Sequence, residues 1–232
     1  MSKLITKIRP TKTSSGFTVI ELLIATVVFS VVLLIAQTSF VHIGNLFYRG
    51  VSIINTQEAA DHIFQDINGN FQNAGSVGSG QNSPAGGYDY YCIGNTRYTY
   101  RINQKVDTAS TADHGTSGNF GVLKDQLAGA GNACSAPCDP ASGNCVSGTT
   151  VPFNNPVELL GDKMRIEQFS ISQSTTTSNL YNVAIVIAYG EDGDLTYNNP
   201  SDLSTVSCKP EANNNFCAVS RVNTAVYNIF HK

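Results

Sequence analysis

The chain has 232 residues, 41% of them hydrophobic and 13% charged, with 20 glycines, 6 cysteines and no tryptophan. That is too apolar for an intrinsically disordered chain, and it carries no internal repeat of the fibrous kind. A net charge of −3 argues against a general nucleic-acid binder, since neutralising phosphates needs clustered Lys and Arg. The charge is also uneven. Lys3, Lys7, Arg9 and Lys12 stand in residues 1–16 without an acid, which leaves 10 basic against 17 acidic side chains, a balance of −7, in residues 17–232.

From Phe17 to Phe40 the chain reads FTVIELLIATVVFSVVLLIAQTSF, in which Glu21 is the only charged residue; the next is Arg49. About 20 helical residues, each rising about 1.5 Å, cross the hydrocarbon core of a bilayer, so the run is long enough to span. The basic residues precede it, which sets the N-terminus on the cytoplasmic side and the body outside. A secretory signal or a signal anchor is the general reading of such a segment. Two details fit a cleaved signal badly. The run exceeds the roughly 7–15 apolar residues of a signal's core, and an acid inside the bilayer is costly and usually functional.

The string Ser15-Gly16-Phe17-Thr18-Val19-Ile20-Glu21-Leu22-Leu23-Ile24-Ala25 resembles the cleavage and methylation motif of the type IV pilin family. That family includes type IV pilins, type II secretion pseudopilins and competence pilins. The shared pattern is a basic leader ending in Gly, then Phe, then Glu as the fifth residue of the mature chain, then an apolar helix. The resemblance covers residues 1 to about 74 well and the remainder in outline. It implies cleavage between Gly16 and Phe17 by a cytoplasm-facing prepilin peptidase, followed by methylation of the new amine of Phe17. It also implies other pilins or pseudopilins as partners. Before assembly the subunit would sit in the cytoplasmic membrane with one pass; afterwards it would belong to an extracellular filament.

A role for Glu21 follows from charge alone. A freed Phe17 amine and the Glu21 carboxylate are both expensive in lipid, and each is relieved by an opposite partner. In a bundle of staggered helices the amine of one chain meets the carboxylate of the next, which fixes axial register. The local alternative is a pair between Glu21 and its own amine. Some tip-most pseudopilins of the family lack this acid, so its presence implies a neighbour on that side.

Residues 41–74 contain no proline, and Ile53/Ile54, Ala60, Ile63/Phe64, Ile67 and Phe71 recur at the spacing of an amphipathic helix. Gly44, Gly50 and Gly69 weaken it, each by about 1 kcal/mol relative to Ala; Gly44 and Gly50 are candidate bends. The expected organisation is therefore a leader (1–16), a transmembrane and filament-core helix (17–41), an amphipathic helix continuing into the head (42–74), and an extracytoplasmic β-rich head (75–232). Many major pilins carry a proline within the apolar helix. Thr38 and Ser39 stand here instead, a departure towards a minor pilin or pseudopilin, in particular the larger J/W-like type with its Asp-Ile-rich helix end (Asp61, Asp66, Ile67).

Residues 75–87 read as a Gly/Ser/Pro loop ending the helix. Tyr88–Ile93 and Arg97–Ile102 read as a hairpin about Gly94-Asn95, with Tyr98, Tyr100 and Ile102 inward and Arg97 and Arg101 on a solvated face. Residues 118–127 form a further short strand or turn. Residues 163–173 and 180–189 are strands, the second apolar on both faces and hence central. The last strand is 217–230, with Val222, Thr224, Val226, Asn228 and Phe230 on one face. The fold class is α+β: a long N-terminal helix packed on an antiparallel sheet.

Cys92, Cys134, Cys138, Cys145, Cys208 and Cys217 all follow the membrane segment, and an even count in an exported body points to disulfides. Cys208 and Cys217 close a short polar loop and form the expected pair; the resemblance, in which a C-terminal disulfide-bounded loop is common, supports it. Cys92 then pairs with one of the three cysteines in 134–145 and the other two with each other; spacing does not choose among them. A zinc site from those three with His114 is the rival, with a spacing that matches no common zinc pattern. Glu191, Asp192 and Asp194, with Asn198, Asn199 and Asp202 nearby, are oxygen ligands of the kind calcium takes, yet they lack the full loop pattern, so a solvated turn is expected and no cofactor. His42, His62, His114 and His231 are scattered and no catalytic motif is present, which points away from an enzyme. A structural filament subunit is expected. The alternative is a pilus-borne adhesin or DNA-uptake pilin whose head binds a ligand, with Arg97, Arg101 and the Tyr-rich hairpin as its patch.

Overall fold

The computed structural model describes residues 16–74, 77–80, 88–107, 120–127, 134–138, 150–174, 179–199, 201–209 and 216–228. The chain divides into two compact units, Met1–Asn45 and Leu46–Lys232. Helix α1 (Val19–Asn73) is assigned without a break, including at Gly44, Gly50 and Gly69. No proline interrupts it.

In the first unit the large apolar side chains of the run stand exposed, from Phe17 and Val19 through Leu34 and Ile35 to Phe40 and Ile43. This is one helix long and apolar enough to cross a membrane, by length and composition. Its hydroxyls do not remain free in that surrounding: Thr26, Ser30, Thr38 and Ser39 each donate back to a carbonyl one turn earlier, at 2.7–2.9 Å.

The second unit, the head, is an α+β layer. From Ser52 onward α1 buries one stripe, Ser52, Thr56, Ala60, Ile63, Ile67 and Phe71, spaced three and four apart. The strands are β1 (Val77–Gly80), β2 (Asp89–Ile93), β3 (Thr96–Tyr100), β4 (Val122–Gln126), β5 (Ala136–Cys138), β6 (Thr150–Pro152), β7 (Val157–Glu158), β8 (Met164–Gln173), β9 (Leu180–Tyr189), β10 (Leu195–Tyr197), β11 (Val206–Cys208) and β12 (Ala218–Tyr227). An antiparallel sheet runs in the order β1-β2-β3-β4-β7, and a second in the order β12-β9-β8. Two ribbons, antiparallel β10-β11 and parallel β5-β6, complete the list among the described residues.

One core joins the helix stripe to both sheets: Ile63, Ile67 and Phe71 meet Ile93, Tyr98 and Tyr100 from the first and Ile166, Phe169, Ile185 and Ile187 from the second. Phe169 is its aromatic centre, 4.8 Å from the ring of Tyr100 and 5.6 Å from that of Tyr91, both edge-on. Strand β9 is central, as its continuous apolar sequence predicts. Val183, Ile185 and Ile187 face the helix, while Val186 and Ala188 join Leu195, Val206 and Cys217 in a second cluster beneath the β10-β11 ribbon. The hairpin β2-β3 turns at Gly94-Asn95. Gly94 has φ +60° and lies against Ala74, where a Cβ would meet the helix end at 3.4 Å, so glycine serves both the turn and the close approach.

A polar network also ties the helix to the first sheet. Asp66 accepts from the Tyr98 hydroxyl at 2.6 Å and from Lys124 Nζ at 2.5 Å, and Asn70 Nδ2 donates to the same hydroxyl at 2.7 Å. Burial first, and the Asp66 hydrogen bond second, hold the Tyr98 phenol well above its ordinary range.

Three expectations need correction. Residues 75–87 are not all loop: Val77–Gly80 form β1, pairing with β2 across their backbones, a strand whose Val-Gly-Ser-Gly sequence carries no alternation. The predicted strand at 217–230 is observed as Ala218–Tyr227, with Phe230 outside the described residues. Arg97 is not on a solvated face; its side chain is fully buried.

Candidate functional site

The N-terminal turn of α1 has a specific local construction. Thr18 is the last non-helical residue and Glu21 stands three residues on. Glu21 Oε2 accepts from the Thr18 backbone N–H at 2.9 Å and from its hydroxyl at 2.8 Å, while the Glu21 N–H donates to Thr18 Oγ1 at 3.4 Å. This is a reciprocal capping box, which satisfies two of the orphan donors of a helix start and places a negative charge at the positive end of the helix dipole. This role was not among the sequence expectations, although its signal, Thr-x-x-Glu before an apolar run, is present in the chain.

Phe17 is 87% exposed. Among the described residues nothing stands within 4 Å of where a Cβ on Gly16 would be, and its φ lies outside the left-handed range. Glu21, with Phe17, Ile24, Ala25, Val28, Phe29 and Val32, lines a shallow, almost wholly apolar notch along the helix. A carboxylate at the head of an apolar notch is a place where an approaching apolar segment bearing a positive charge would satisfy both.

The remaining predicted residues are distributed as follows. Cys208 pairs with Cys217, and Cys92 with Cys134, which resolves the choice that spacing left open. Cys145, the side chain of Cys138 and His114 lie outside the described residues. The zinc reading loses Cys134, whose sulfur is bonded to that of Cys92. The acidic turn after β9 is spent on cations. Glu191 pairs with Lys105 and, at 3.5 Å, with Lys163, and Asp192 with Arg165 at 2.5 Å. These partners hold both carboxyls below their ordinary range. Among the described residues no three of His, Cys, Asp and Glu stand close enough to hold a metal ion. His42 and His62 are exposed; His231 lies outside the described residues.

Of the proposed ligand patch, Arg97 forms a buried two-pronged pair with Asp125, Nε to Oδ1 at 2.9 Å and Nη2 to Oδ2 at 2.6 Å. Arg101 stacks over the Phe120 ring at 4.8 Å. The tyrosines of β3 are buried as predicted. Sequence reasoning also missed a polar cluster behind β8. Glu167 sits at a bulge between Ile166 and Gln168, buried, accepting from the Tyr197 hydroxyl at 3.0 Å. Burial pushes its carboxyl up to about 7 against that hydrogen bond. No periodicity marks a bulge, so this acid gave no signal beforehand.

Residues 11–37 match the family model described as the prokaryotic N-terminal methylation motif. No curated protein and no solved structure matches the chain. The motif ends within the apolar run and includes no part of the head.

Proposed function

We propose that this chain, whose residues 11–37 carry the methylation motif that is the hallmark of prepilin-type, type IV pilin-like proteins, is a minor pilin or pseudopilin of a type IV pilus or related secretion filament. Residues 1–16 are its leader. Prepilin peptidase cuts between Gly16 and Phe17, the amine of Phe17 is methylated, and the apolar helix holds the subunit in the cytoplasmic membrane until it joins a filament.

Assembly rests on the bare apolar length of α1, which gains van der Waals packing against like helices once it leaves lipid. The observation that carries the proposal is the capped Glu21 at the head of this exposed run. In the single chain the carboxylate is held by Thr18; in a bundle the freed amine of a neighbouring Phe17 takes it and sets the stagger. The alternative of a ligand-binding head loses its basic patch, since Arg97 is enclosed and committed to Asp125.

Two measurements test this. Mass spectrometry of the protein from its host should find a chain beginning at N-methylated Phe17; a chain still beginning at Met1 overturns the reading. The Glu21→Ala variant should be cleaved normally and be missing from isolated filaments. Its normal incorporation would remove the register role while leaving the processing intact.

A further inference from the structure

At the head's first helical turns, three aromatic rings stay exposed where soluble proteins would cover them. Phe47 is 66%, Tyr48 54% and Phe216 49% exposed. Tyr48 lies one turn before Ser52, the first residue of the buried stripe, whose hydroxyl donates to the Tyr48 carbonyl at 3.0 Å. Its ring touches that of Phe216 at 5.7 Å and that of Phe47 at 6.1 Å. Phe216 directly precedes Cys217, and the disulfide to Cys208 ties this part of the chain to the β11 end, where Lys209 follows.

The sequence decides what covers this patch. Residues 22–48 contain no Asp, Glu, Lys or Arg. At about 1.5 Å per residue they extend about 40 Å, which matches the roughly 40–45 Å of a bilayer with both headgroup layers rather than the roughly 30 Å of hydrocarbon alone. The uncharged stretch therefore ends at Phe47 and Tyr48, and Arg49 follows at once. Aromatic rings with one apolar and one wet side are the side chains that favour the headgroup layer, with Arg and Lys beside them. Arg49, next to Tyr48 in the chain, supplies a positive charge there.

We infer that Phe47, Tyr48 and Phe216 form a membrane seat: before assembly the head rests its disulfide-tied edge in the outer headgroup layer, and this contact is given up when the subunit enters a filament. The inference rests on the membrane-anchored reading above.

The chain has no tryptophan, so single substitutions report cleanly. Full-length Phe216→Trp, Tyr48→Trp, Phe29→Trp and Tyr227→Trp variants would be reconstituted in vesicles of phosphatidylethanolamine and phosphatidylglycerol carrying spin labels at the headgroup or deep in the acyl chain. Tyr227 is exposed at the far end of β12 from Cys217 and serves as the water-facing control. The expected result is blue-shifted emission at 216 and 48 with greater loss to the headgroup label than to the deep one. Phe29→Trp should lose emission to the deep label, and Tyr227→Trp to neither. If Phe29→Trp responds while 216 and 48 behave like 227, the seat is refuted and the anchor stands. An unresponsive Phe29→Trp overturns both. Emission at 216 that is blue-shifted, unquenched and dependent on the protein-to-lipid ratio would show a second copy covering the patch, and also refutes the seat. Should Phe216→Trp fail to fold, Tyr48→Trp alone decides.

Discussion

Arg97 and Asp125 face each other across β3 and β4, and neither side chain has any solvent exposure. The guanidinium also donates to the Ser135 carbonyl at 3.1 Å and the Pro152 carbonyl at 3.3 Å, and lies 5.3 Å from the Phe153 ring centre. Asp125 in turn accepts from the Asn154 N–H at 3.1 Å. The pair therefore binds the sheet to the segments carrying β5 and β6. Replacing Asp125 with Ala leaves a buried guanidinium without its counter-ion, a change that costs about 3–5 kcal/mol. For a unit of this size each kcal/mol moves Tm by about 2–4 °C, so the transition should fall by about 6–20 °C. The double variant Arg97→Met/Asp125→Leu removes both charges at similar volume and should lose far less than Asp125→Ala. Thermal and urea unfolding of the parent, Asp125→Ala, Arg97→Met, Asp125→Leu and the double variant is followed by circular dichroism in detergent, and the last three with the parent give the coupling. An Asp125→Ala loss under about 1 kcal/mol, or a double variant as weak as the sum of the singles, would refute the reasoning.

The two described disulfides should differ in worth. By the loop-closure relation, losing Cys92–Cys134, 42 residues apart, costs about 4 kcal/mol, and losing Cys208–Cys217, 9 apart, about 2.7 kcal/mol; Cys→Ser pairs measured by urea unfolding check the order. Glu167 gives a pH dependence. Its folded pKa of about 7 lies above the ordinary 4.5, so the fold favours the protonated acid. That contribution is complete below about 4.5 and is lost as pH rises through about 7, by up to about 3 kcal/mol. Urea midpoints should fall from about pH 5 to about pH 8 by less in Glu167→Gln than in the parent; equal slopes would show that another group titrates.

What the sequence made legible follows from which patterns are local. The apolar run, the helical stripe and the double-sided β9 all declare themselves through spacing, because burial repeats with the geometry of the element. Arg97 was misplaced because strand alternation says which residues share a face and nothing about whether that face is covered; β5, β6 and the segment through Phe153 cover it from afar in the chain. The capping box is written in the chain as Thr18-x-x-Glu21, and its acid is the same one that stands out as the lone charge of the apolar run. Spacing could not choose a partner for Cys92, since Cys134, Cys138 and Cys145 differ by only a few residues. The acidic turn after β9 resembled an ion site because its cations, Lys105, Lys163 and Arg165, arrive from other strands and loops.

The bond set around Asp66 has a consequence for how the head is carried. Hydrophobic contact has no preferred direction. If α1 slipped by one turn, about 5.4 Å, Ile63 would arrive near the place of Ile67 with much of the greasy contact retained. Asp66 would then abandon the Tyr98 hydroxyl and the Lys124 ammonium, and Asn70 would lose that hydroxyl as well. Like a pin through a telescoping shaft, these three hydrogen bonds thus allow one mounting height.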